Sequence, residues 1–127
     1  MVHHLNSSFF CCAIARFQAD PKQCFNRSLS GKNATCYGKG AYFARDAAYS
    51  AQCTYSSPDS SGVQRMYLAR VAVGSFTVGN SSMNEAPVRD AARNILFDSV
   101  VDRMNDPKLF VVFRDVAAYP EYAIAFR

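Results

Sequence analysis

The chain has 127 residues, half of them apolar, with ten Phe, seven Tyr, no Trp and a formal net charge of +4. That length gives one small domain with a single, aromatic-rich core. Lys and Arg are scattered, not gathered into the basic stripe of a nucleic-acid binder, so nucleic acid is not an expected partner.

The first region, residues 1–24, couples an apolar FFCCAIARF run to polar ADPKQ. Phe9 to Ala15 is too short to span a bilayer and lacks the basic flank of a signal peptide, so no membrane association is expected. The five cysteines, Cys11, Cys12, Cys24, Cys36 and Cys53, form no C-x-x-C pair, and the only histidines are His3 and His4. No metal site is expected from that pattern. An odd number of thiols without a secretory signal predicts reduced cysteines and residence in the nucleus, the cytoplasm or both.

Phe25 to Tyr37 (FNRSLSGKNATCY) carries turn-forming residues and reads as a loop. Gly40 to Ala44 reads as a short strand whose glycines let the backbone pass close to something. Asp46 is a candidate helix N-cap for AAYSAQC, with Ser50 on the inner turn. Ser56 to Gly62 is a turn-rich connection. Val63 to Val73 alternates and is rich in β-formers, and Gly74 to Val78 reads as its continuation past a bulge. Gly79 to Asn94 reads as a long surface loop. Ile95 to Val101 is a strand interrupted by Asp98, Lys108 to Arg114 (KLFVVFR) a buried strand, and Tyr119 to Phe126 the last one. The connections are too short for crossover helices, so the expected class is α+β with mostly antiparallel sheets.

Gly31-Lys32 and Gly38-Lys39-Gly40 suggest a phosphate loop, but Walker spacing fails, no Ser or Thr follows Lys39, and a third glycine is absent. The bland alternative is a glycine-punctuated turn. No G-x-S-x-G elbow is present, and without a mid-chain histidine no Ser-His-Asp or Cys-His relay can be assembled. Tyr42, Ser50 and Tyr55 are different. Each alone fits a core, but together they offer two aromatic faces and a hydroxyl, which suit a flat ring carrying a carboxamide. Stacking contributes roughly 1–3 kcal/mol per ring, by analogy with bases, and a hydroxyl hydrogen bond about 1 kcal/mol.

From Phe25 to Arg127 the sequence resembles the C-terminal part of the catalytic domain of the poly(ADP-ribose) polymerase superfamily. The resemblance is to its mono-ADP-ribosyltransferases of the macrodomain-containing, B-aggressive-lymphoma branch. The strings that carry it are FNRS, GKNA, YGKGAYFA, YSAQCTYSSPD, MYLARV, PKLFVVF and AYPEYAIAF, in the family's order. It implies a two-sheet ADP-ribosyltransferase fold truncated at its N-terminus, with residues 1–24 a divergent segment and 25–127 the C-terminal part of the catalytic domain. It also implies NAD+ as co-substrate, no metal, and acceptor proteins as partners.

Carried over by residue, the resemblance puts Tyr42 on the triad tyrosine, Ser50 on the serine that bonds the nicotinamide amide, and Tyr55 on the tyrosine that stacks over the ring. Arg27 falls in the donor loop near the adenosine portion. The triad's third position, glutamate in polymer-forming members, falls on Leu109. Glu121 belongs to the Y-P-E-Y strand, which members with the true glutamate also have, and reads as a surface carboxylate. The family's His-Gly pair should fall near Phe10-Cys11, where SFFCCAIARF departs from the family strand.

Leucine at 109 cannot hold a ribose 2′-hydroxyl or activate an acceptor hydroxyl. The resemblance thus implies transfer of one ADP-ribose unit, impaired here by the absent histidine. The alternative is a catalytically dead module that binds NAD fragments or a protein. A truncated sheet further predicts unpaired edges, exposed apolar faces, marginal stability and a tendency to associate.

Overall fold

In the computed structural model residues 8–13 and 36–127 are described. Among the described residues nine strands, one helical turn and a 3₁₀ turn follow in the order β1 Ser8–Ala13, β2 Ala41–Ala44, α1 Ala47–Ser50, β3 Gln64–Ala72, β4 Phe76–Val78, β5 Val88–Asp90, β6 Ile95–Leu96, β7 Ser99–Val101, β8 Leu109–Val112, the 3₁₀ turn Asp115–Ala117, and β9 Ala118–Phe126. Strands dominate and pair antiparallel, apart from β4 with β7, as the expected α+β class requires.

Seven strands form one sheet in the order β4-β7-β8-β2-β1-β3-β9, and β5 and β6 form a separate hairpin. The link from β3 to β4 shows that the large sheet is curled. In a flat sheet those strands would stand five spacings of about 4.8 Å apart, yet the three residues of Val73–Ser75 reach at most about 14 Å. The curl brings the end of β3 against β7. Ser99 Oγ donates to Val73 O at 2.8 Å, and Ser75 N donates to Asp98 Oδ2 at 2.8 Å.

The curled sheet encloses its core on one face. Ala41 and Phe43 of β2, Ala69 and Val71 of β3, Val101 of β7 and Phe110 and Val112 of β8 pack together there. The intervening residues form a second cluster of Val100, Val111, Phe113 and Ala86, with Tyr37, Tyr42, Met83 and Phe97 against it. Strand periodicity thus assigns Phe43 to the core and its neighbour Tyr42 to the opposite face. β9 is an edge strand, and Tyr119, Tyr122 and Ile124 are exposed. Pro120 lacks an N–H, which an edge strand tolerates.

Some elements differ from the sequence-based expectation. Gly74 to Val78 does not prolong β3; the chain turns at Gly74 (φ 55°) and β4 joins the opposite end of the sheet beside β7. Ile95 to Val101 splits at Asp98 into β6 and β7, because Asp98 is held by the Ser75 amide. The expected loop Gly79 to Asn94 contains β5. Helix α1 is a single turn, and Asp46 makes no side-chain cap; its carboxylate pairs with Arg45 instead. The departing segment of residues 8–13 forms a central strand, with Phe10 paired to Arg70, Cys11 to Ala69, and Cys12 to both Leu68 and Ala44.

Candidate functional site

The site candidates gather where β2 leads into α1. A Cβ at Gly40 would lie 2.5 Å from Val112 O and 2.7 Å from Val111 Cγ1, so the close approach that needs glycine is to β8, not to a ligand. Lys39 N donates to Met83 O at 2.8 Å. This part of the glycine-lysine motif is therefore a packed turn, and Gly31-Lys32 lies outside the described residues.

Register places the triad position. Tyr42 pairs with Val111 and Ala44 with Leu109, so side-chain alternation puts Tyr42 and Leu109 on one face as diagonal neighbours. Leu109 is partly buried. Asp102 Oδ1 accepts from the amides of Lys108 at 3.0 Å and Leu109 at 3.2 Å, while Oδ2 lies 3.5 Å from Arg103. This carboxylate beside the triad position is committed to the main chain. Arg45 ties the same loop to α1 by pairing with both Asp46 and Asp106, and the salt link holds the Asp106 carboxyl below its ordinary range.

The hydroxyl of Tyr42 is fixed by the turn before it. The Tyr37 amide donates to Oη at 3.1 Å, and Oη donates to Gly38 O at 2.6 Å. Burial is the main cause of its raised pKa, opposed by the Tyr37 amide and reinforced by nearby Cys36. Tyr42 is therefore a neutral phenol whose proton is already committed, and what it offers a ligand is its ring. Ser50 is fully buried at the end of α1.

Tyr55 stacks on Tyr49, with ring centroids 4.9 Å apart and planes inclined by 19°. Their hydroxyls lie 2.8 Å apart. The Tyr49 pKa is raised, first by burial and then by the hydrogen bond with Tyr55; Tyr37 and Cys36 also act on it. Tyr37 and Cys36 act electrostatically on both Tyr42 and Tyr49. The Gln64 side chain fixes the turn that leads from Tyr49 to Tyr55, donating to Ala51 O at 2.8 Å and Ser56 O at 2.7 Å.

The structure therefore brings Tyr42 and Leu109 to one face and sets Tyr55 against Tyr49. Arg27 lies outside the described residues, as do His3 and His4. Motif spacing does not single out Tyr49 or Tyr37; their signal in the sequence is tyrosine recurring around Tyr42, Ser50 and Tyr55. Glu121 lies in β9, unpaired at the register shift between Leu68 and Ala69, and the resulting bulge aims its carboxylate to 2.7 Å from Arg70.

An open cleft of about 650 Å³ lies between the β5–β6 hairpin and the end of β8, and none of these tyrosines lines it. Glu85, Asp98 and Asp115 face it against a single Arg114, an excess of negative charge that would repel a dinucleotide's phosphates. Among the described residues no cluster could hold a metal, and no helix is long and apolar enough to cross a membrane.

Residues 21–127 match the Poly(ADP-ribose) polymerase catalytic domain. The chain belongs to that family. The human protein mono-ADP-ribosyltransferase PARP14 is 50% identical over 104 residues, covering 81% of this chain and 6% of that protein. Human PARP12 is 42% identical over 123 residues, covering 97% of this chain and 16% of its own length. Mouse PARP11 is 37% identical over 143 aligned positions, covering 99% of this chain and 41% of its own length. The chain thus spans less than half the length of these mono-ADP-ribosyltransferases. As a poly(ADP-ribose) polymerase catalytic domain, it uses the antiparallel, helix-poor framework described above.

Proposed function

We propose that this domain transfers a single ADP-ribose unit from NAD+ to an acceptor protein and releases nicotinamide, with activity weakened in this polypeptide. The observation that carries the reading is the β2–β8 register, which sets aliphatic Leu109 on the face of Tyr42. In this reading Tyr42 and Tyr55 supply ring faces for the nicotinamide, and Ser50 binds its carboxamide. The bond between the nicotinamide nitrogen and ribose C1′ breaks with its electron pair leaving on nicotinamide, and positive charge builds on the ribose as in glycoside hydrolysis. An oxygen of an acidic acceptor side chain then bonds to C1′, supplying the carboxylate that position 109 lacks. Without a glutamate there, the 2′-hydroxyl of a transferred unit is not activated and no chain grows. Arg27 is assigned to the adenosine side of NAD+. Nicotinamide release and acceptor labelling with adenylate-labelled NAD+ test this: single-unit bands are expected, and a polymer ladder would overturn it.

A second reading has its own support. Phe10 and Cys11 occupy the central strand at the place where the family resemblance calls for His-Gly. Two or three missing hydrogen bonds at about 1 kcal/mol each weaken NAD+ roughly tenfold to a hundredfold. On this basis the chain is a pseudoenzyme that binds NAD fragments or a protein. Binding of benzamide, a nicotinamide mimic, without nicotinamide release would favour it.

A further inference from the structure

Tyr55 sits on a turn, and a phenol there can swing about two side-chain torsions. The main chain on either side is pinned: Tyr55 N and Ser56 N both donate to Gln52 O at 2.9 Å, and Gln64 bridges Ala51 O to Ser56 O. The backbone ties do not set the ring's orientation. Tyr49 does, since its ring covers one face of Tyr55 at 4.9 Å and 19° and its hydroxyl meets the Tyr55 hydroxyl at 2.8 Å. Stack and hydrogen bond act on different freedoms, the first on the ring plane and the second on its rotation within that plane.

We infer that Tyr49 is a positioning residue: it backs Tyr55 and turns it into a one-sided platform, so that a flat carboxamide-bearing ring stacks only on the face away from Tyr49. The inference rests on the nicotinamide-pocket reading above and adds to it the residue that preorganises the pocket. Ring order is then Tyr49, Tyr55, ligand. Fixing the platform in advance removes an ordering cost that the ligand would otherwise meet on binding. Tyr49 itself need not touch the ligand.

The test measures benzamide affinity of the full 127-residue chain by calorimetry. Tyr49→Phe keeps the stack and loses the hydroxyl contact; affinity is expected to fall about three- to tenfold with an unchanged melting midpoint. Tyr49→Ala loses both, with an expected loss of about tenfold or more. In a Tyr55→Phe background, Tyr49→Phe should cost nothing further, because the partner hydroxyl is already gone. A purely structural role would lower the melting midpoint of both Tyr49 variants and leave the benzamide affinity of the folded chain unchanged. Unchanged affinity in both Tyr49 variants, or additive losses, overturns the inference and leaves the pocket standing. Failure of the wild-type chain to bind benzamide overturns the pocket and the inference with it.

Discussion

Tyr49 and Tyr55 around α1 and Tyr119 and Tyr122 on β9 have the same chemistry and opposite fates. The first pair is stacked and hydrogen-bonded, ring to ring and hydroxyl to hydroxyl. The second pair lies 56% and 63% exposed on an edge strand. The surroundings make the difference. α1 packs on the interior strands β1 and β2, and burial raises the pKa of Tyr42 and Tyr49 there, whereas β9 has sheet on one side only. A tyrosine therefore indicates a site only where the sheet behind it is complete.

The largest expected effect removes that backing. Phe43 is fully buried beneath the strand that carries Tyr42, and Phe43→Ala should cost about 3–5 kcal/mol in denaturant unfolding. Less than about 1 kcal/mol would mean that β2 is not a core strand. Next, Tyr55→Ala should weaken benzamide binding about ten- to hundredfold through the lost ring face. Tyr122→Ala should leave binding unchanged and stability within about 0.5 kcal/mol. Equal losses from the two substitutions would erase the contrast between the regions.

The phenols also predict a pH response. Tyr42 and Tyr49 have folded pKa values above the ordinary tyrosine value of 10.0. Their contribution to stability is complete below about pH 10 and lost as pH climbs through the raised folded values. Benzamide affinity should therefore stay flat between about pH 6 and 9; a step in that range would show that another group governs the pocket. The smallest effect lies away from both regions, at Asp59. The Ser61 and Val63 amides, then Arg65, hold its carboxyl below 3.8. A depressed folded pKa gives stability that is present above about pH 4 and lost as pH falls through the folded value. Asp59→Ala should melt below the wild type at pH 7, with the gap closing in acid; a gap independent of pH would separate it from the carboxylate.

Much of the framework is local and was readable from the sequence. β2, β3, β8 and β9 fall where alternation and β-branched runs put them, and the Asp59 turn lies within the Ser56 to Gly62 stretch. Errors arose where one distant group decides. Asp98 captures the Ser75 amide, which ends β3 and sends β4 to the far end of the sheet. Arg45 takes Asp46 away from its capping role. At the site, the family strings led to Tyr42, Ser50, Tyr55 and Leu109. Tyr49 was missed because its role depends on ring geometry across a turn, which spacing along the chain does not encode.

By itself the sequence determined which residues alternate, which turn, and to which family they belong, because periodicity and motif order are properties of neighbours along the chain. The tertiary structure alone decided that the sheet curls, that Tyr42 and Leu109 share a face, that Tyr55 leans on Tyr49, and that Glu121 turns to Arg70 at a bulge. Those facts depend on strand register and water exclusion, and both arise only when residues far apart in sequence are packed against one another.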